Sequence, residues 1–206
     1  MPSETTRPDR IPWTESWEIM NARAWGLLKN SAEIQPTLVV NGLLSYGHPR
    51  LRLWDDAMGF GCNYEPTSFT VFDPQGEAKQ LLVRQAVWQR RGDLQRLHDL
   101  VEEKKNPVIF HPTFTVKDAE VPVSKFNELL NSGARFRVPV VWLDQMVAVT
   151  CDSGSVGVEF FSLDQPPAMI SLQWAVDKPA AWEPVVDWTN QVRRFLQLCL
   201  TTNERS

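Results

Sequence analysis

Apolar positions at the start of the chain follow a helical rhythm. Trp13, Trp17, Met20, Ala24, Leu27 and Leu28 recur at spacings of three and four, behind Thr14 as an N-cap, which predicts an amphipathic helix ending near Asn30. The rhythm then shortens. Thr37 to Leu44 and Leu51 to Trp54 read as short strands around a Tyr46-Gly47-His48-Pro49 turn. Ser68 to Phe72 and Ala78 to Trp88 flank Asp73-Pro74-Gln75-Gly76-Glu77, where proline presets a turn and glycine supplies positive φ, so a β-hairpin is expected. Asp93 is read as opening a helix with Leu94, Leu97, Leu100 and Val101 inward and His98 partly buried beside them, and Pro107 limits its extent. Val108 to Val116 has strand composition interrupted by Pro112. Val123, Phe126, Leu129 and Leu130 predict a short helix with Pro122 at its first turn and Gly133 at C′.

The C-terminal third is patterned as four strands, Arg135 to Leu143, Met146 to Cys151, Val156 to Leu163 and Met169 to Val176, joined by connections short enough for antiparallel returns. In the last of them Ile170, Leu172 and Trp174 alternate with Ser171 and Gln173, one face buried and one wetter. A final helix from near Pro184 aligns Val185, Trp188, Val192, Phe195 and Cys199. The fold class is therefore α+β: a mostly antiparallel sheet or sheets with helices packed on one side, and a C-terminal four-stranded meander covered by the C-terminal helix. The order helix, strands, helix occurs twice, and 14–105 and 122–200 are the sub-halves of a candidate duplication within one domain spanning 14–200. Residues 1–13 and 201–206 are expected to be flexible tails.

Composition supports a packed domain: 43% of the 206 residues are apolar and 22% charged, enough burial to offset ordering entropy. The net charge of −4 divides into −1 up to Lys105 (13 basic, 14 acidic) and −3 after it (8 basic, 11 acidic), which argues against nucleic-acid binding by phosphate neutralisation. Arg84, Arg90, Arg91 and Arg96 read as a solvated face. Cys62, Cys151 and Cys199 are odd in number, and their spacings fit no zinc or CxxC pattern, pointing to a reducing compartment. Met1 to Arg10 lacks the apolar core of a signal peptide, and no run approaches the roughly 18 apolar residues of a membrane span. A cytoplasmic location is expected, with neither membrane nor nucleic acid as a partner.

Candidate chemistry is sparse. Cys62, in Gly59-Phe60-Gly61-Cys62-Asn63, could serve as a thiolate nucleophile if His48 or His111 acted as its base and Asp55 or Asp56 oriented the imidazole. Rapid alkylation of Cys62 at neutral pH, against slow labelling of Cys151 and Cys199, would be its signature. His48, Asp55, Asp56, Cys62 and His111 are the metal-ligand candidates, but no pair has the spacing of HExxH or CxxC, and no metal or cofactor is expected. GxGxxG, GxxxxGK[ST] and GxSxG are all missing. Arg91-Gly92-Asp93 is read as a helix start rather than an adhesion tripeptide.

Nine tryptophans stand against two tyrosines. Tryptophan is enriched at interface hot spots, and Trp25 lies about 80° around the first helix from Trp17, at 100° per residue. Trp25 and Trp54 are the candidate protein-binding residues. The leading expectation is a non-catalytic intracellular module of the adaptor, chaperone or immunity type that binds another protein, with room for homo-oligomerisation. A Cys62 thiol enzyme and a small-molecule binding domain, with a pocket between sheet and final helix, are the alternatives.

Overall fold

A computed structural model describes residues 13–29, 31, 34, 38–40, 43–45, 47–56, 65–77, 79–103, 110–136, 155–161, 169–175 and 180–203. Helix α1 (Trp13–Lys29) follows the predicted period. A two-stranded antiparallel pair, β1 (Leu38–Val40) and β2 (Leu43–Ser45), occupies the stretch expected to be one strand. The main sheet has six antiparallel strands. β3 (His48–Asp56), β4 (Thr67–Asp73), β5 (Leu81–Trp88) and β6 (Phe114–Val121) run as a meander, and β7 (Ser155–Phe161) and β8 (Met169–Ala175) add to the other side of β3, giving the order β6-β5-β4-β3-β7-β8. Helix α2 (Arg90–Glu102) links β5 to β6, α3 (Val123–Gly133) follows β6, and a 3-10 turn (Ala180–Trp182) leads into α4 (Glu183–Asn203). The class is α+β, with the C-terminal helix packed on the sheet.

Alternation along the strands divides the core in two. Leu51, Leu53, Phe69, Val71, Leu81, Val83, Ala119, Val121 and Val158 point to one face, where Phe126 of α3 and Val185, Trp188, Val192, Leu196 and Leu200 of α4 cover them. Ala86 and Trp88 lie on the opposite face of β5 and join Met20, Ala24 and Leu28 of α1, Leu97 of α2 and Phe110. Helices therefore cover both faces of the sheet, not one as expected. Two helical layers were written into the sequence as two apolar stripes, but nothing local says that they meet opposite faces.

The expected C-terminal meander is described only in part. Two of its expected strands are β7 and β8, and the other two, Arg135 to Leu143 and Met146 to Cys151, lie outside the described residues from position 137 on, together with the comparison of the halves and with 1–12 and 204–206 of the tails. In the described sheet β7 lies between β3 and β8.

Local chemistry accounts for the turns and several boundaries. Asp73 Oδ1 accepts hydrogen bonds from the backbone N–H groups of Gln75 (3.1 Å) and Gly76 (2.8 Å), and Gly76 adopts the φ of +75° that the hairpin needs. Pro49 lies inside β3, where the register shifts between Pro49 and Leu51. Strand β6 begins after Pro112 and runs to Val121, later than the expected 108–116. Helix α2 begins at Arg90, so Asp93 lies inside its first turn rather than opening it. Gly133 is the last residue of α3, not its C′ position. Its lack of a side chain serves packing: a Cβ there would lie 2.7 Å from Trp188 Cε2.

Candidate functional site

The fold brings α1, α2 and the approach to β6 together around one carboxylate. Asp93 is fully buried and accepts hydrogen bonds from Trp88 Nε1 (2.7 Å) and the backbone N–H of Thr113 (2.8 Å). Arg96, one helical turn on, bonds Asp93 and the hydroxyl of Thr113. The Arg96 guanidinium also lies 5.2 Å from the centre of the Phe110 ring, and Arg23 Nη1 of α1 donates to the Phe110 carbonyl at 3.1 Å. Residues 110–113 are thereby fastened to both helices.

Beyond this clamp an open cleft of about 450 Å³ is lined by Arg96, Asp99, Leu100, Glu103, Phe110 and His111. Leu100 and Phe110 supply its apolar surface, and Asp99 of α2 and Glu103, the residue that caps the C-terminus of that helix, supply carboxylates. Arg96 is paired with Asp93, and Asp99 Oδ1 accepts a hydrogen bond from Gln95 Nε2 at 3.1 Å and lies 3.9 Å from His98 Nδ1. An apolar floor with a charged rim is the ordinary anatomy of a recognition pocket.

Of the residues proposed for catalysis, His111 lines this cleft, and the described ones are not brought together. His48 and Asp55 stand at opposite ends of β3, roughly 23 Å apart at about 3.3 Å per residue. Asp55 has its own partner, Arg193 Nη1 of α4 at 2.6 Å. His111 is at the same end of the sheet as Asp55 but three strands away, about 14 Å or more. Cys62 lies outside the described residues, as does Cys151. Asp56 lies at the end of β3 beside Asp55. Among the described residues no group of three or more His, Cys, Asp or Glu side chains could hold a metal ion, and no helix is long and apolar enough to cross a membrane.

The two tryptophans nominated for binding occupy different environments. Trp54 is only 2% exposed and packs between strands and α1, with Lys29 Nζ 5.4 Å from its ring centre. Trp25 is half-buried against the α1–α2 cluster, because α2 covers a side of α1 that a single helical wheel leaves open. His98 is exposed, near Asp99 and Glu102, rather than partly buried. Nor do the four arginines form one solvated face: Arg84 is buried in a bidentate pair with Asp118 (2.8 and 2.6 Å) and Arg90 is buried, while Arg91 and Arg96 are exposed.

Sequence reasoning missed Asp99, Leu100, Glu103 and Phe110 as a group. The i,i+4 spacing of Asp99 and Glu103 was readable, whereas their meeting with Phe110 depends on the long-range Asp93–Thr113 bond. Among the described residues the one clear acid–base perturbation is elsewhere, at half-buried Cys199, where burial pushes the thiol up against an opposing backbone hydrogen bond. No protein-family model, curated protein or solved structure matches this chain.

Proposed function

We propose that this chain is a non-catalytic protein-binding module, an adaptor, chaperone or immunity-type protein of the cytoplasm, whose partner docks at the cleft beside Phe110. The observation that carries the reading is the cleft itself: an apolar floor at Leu100 and Phe110 under the carboxylates of Asp99 and Glu103, on a wall held by the Asp93 clamp. Such a surface favours a partner side chain with an aliphatic stem and a cationic head, a lysine or arginine, which would cover the floor and meet the rim charges. The cysteine pattern of the chain supports the cytoplasmic address.

The test uses the tagged native protein and its Asp99→Lys/Glu103→Lys variant, both side chains being exposed. A protein captured from the source lysate by the native form is purified, and its affinity for both forms is measured by calorimetry. Loss of tenfold or more in the variant, with an unchanged circular-dichroism spectrum, is expected. Equal affinity would overturn the docking site. Stabilisation of the native protein by a small cationic metabolite in a thermal-shift screen, with no protein captured, would transfer the cleft to the small-molecule reading.

A further inference from the structure

The two outer strands of the six-stranded sheet are built differently. β6 is bracketed by Pro112 and Pro122 and carries Lys117, Asp118 and Glu120 among its eight residues. Asp118 is tied to Arg84, and Glu120 accepts from Gln80 Nε2 at 2.9 Å. Prolines and charges are the devices by which natural sheets prevent their edges from pairing with other chains. β8 has Pro166 and Pro167 ahead of it, as β6 has Pro112, but no charge. Its seven residues, Met-Ile-Ser-Leu-Gln-Trp-Ala, include neither charge nor proline. Met169 and Ile170 are 59% and 60% exposed, and among the described residues β8 has a neighbouring strand only on its β7 side.

We propose that β8 is a pairing edge, and that its occupant is β8 of a second copy of this chain, joined antiparallel about a two-fold axis normal to the sheet. The sequence of the strand selects this partner and this register. Centred on Leu172, the pairing sets Ile170 opposite Trp174 of the partner subunit, Ser171 opposite Gln173 of the partner subunit, and Leu172 opposite its own copy. Apolar residues then face apolar ones on the side toward α4, and polar residues face polar ones on the other side. A shift by one residue would set Ile170 against a glutamine and mix the faces. Self-pairing of a strand normally brings like charges together, and β8 has no charge to oppose it. The contact is isologous, so it closes at two copies instead of growing into a fibre. It lies on the opposite edge of the sheet from the Phe110 cleft, so either site can fail without the other.

Sedimentation velocity of the full chain over about 1 to 100 μM tests the proposal. The native protein is expected at twice the chain mass in the upper part of that range. The Ser171→Lys/Gln173→Lys variant places lysines opposite one another across the pair and is expected to weaken the dimer by about tenfold or more. Both positions are exposed, and Ser171 lies beside Glu159, which tolerates a lysine. The Ser171→Lys/Gln173→Glu variant restores opposite charges in the same register and is expected to recover dimerisation. A native monomer at 100 μM, a dimer indifferent to the double lysine, or failure of the charge-swapped variant to recover would each overturn the proposal. Should the variants fold poorly, hydrogen exchange on the native chain decides: the β8 amides are expected to gain protection as concentration rises, and concentration-independent exchange would overturn it.

Discussion

The indole of Trp54 lies against the backbone of Gly157, its partner across the β3–β7 ladder. A Cβ at position 157 would overlap the six-membered part of that ring and stand 2.7 Å from Cη2. Glycine is required here by packing, since the ring takes the volume in which any side chain of β7 would stand. Gly157→Ala is therefore expected to destabilise the protein by about 1–3 kcal/mol, the usual cost of overpacking a filled site. Urea unfolding followed by tryptophan fluorescence measures it. An unchanged midpoint would mean that the ring moves aside without cost.

Trp54 itself separates stability from recognition. Its indole is buried, and its Nε1 has no hydrogen-bond partner among the described residues. Trp54→Ala is expected to cost about 3–5 kcal/mol, as for other large-to-small changes at buried aromatic sites. Trp54→Phe keeps most of the contact and discards an unpaired donor, so it is expected to cost much less. The half-buried Trp25 is expected to fall between these two when changed to alanine. Loss of partner binding in Trp54→Ala alone would thus report unfolding, and a folded, binding-deficient Trp54→Phe is the result that would restore this residue to an interface.

The contrast between these residues shows what the sequence disclosed. Met20, Ala24 and Leu28 announced the buried stripe of α1, and Gly76 announced its turn, because both depend on neighbours within one helical turn or one hairpin. Trp174 at 6% exposure and Ile170 at 60% show the limit of the same reasoning: alternation put both on one face of β8, but only the position of α4 decides which is covered. The cleft was illegible for a related reason. Asp93 looks like a helix-start residue, and its acceptor role toward Thr113, twenty positions later, follows from strand order rather than from any local pattern. His48 and Asp55 were offered to one arrangement, but they stand seven positions apart on one extended strand, which makes that separation large.

The buried Asp93 carboxylate should behave as a joint between α2 and the start of β6. Asp93→Ala removes the acceptor for three protein donors, Trp88 Nε1–H, the Thr113 N–H and the Arg96 guanidinium. A buried donor left unpaired costs about 1–3 kcal/mol, so a loss of about 3 kcal/mol is expected in chemical denaturation. Exchange of the Thr113 amide should accelerate beyond what the global loss explains, because that segment would detach from α2 first. Uniform acceleration across the sheet would show instead that the clamp has no local role.

Cys199 provides a pH-dependent prediction whose sign follows from its position on α4. Burial disfavours the thiolate and raises the thiol above its ordinary range, with a backbone hydrogen bond acting in the opposite sense. The reactive species is the thiolate, so alkylation of Cys199 in the native protein at pH 8 should be slow and should accelerate on unfolding in urea. The same shift is linked to stability. The unfolded thiol ionises first, near pH 8.5, whereas the folded one holds its proton to higher pH, so the contribution of Cys199 is fully present below about pH 8.5 and is lost as pH rises through the folded value. Unfolding midpoints of the native chain and Cys199→Ala, measured between pH 7 and pH 10, should therefore converge or cross as pH increases, with the native chain losing more. Parallel curves across that interval would show that the thiol ionises equally in both states and that its burial on α4 has no electrostatic consequence.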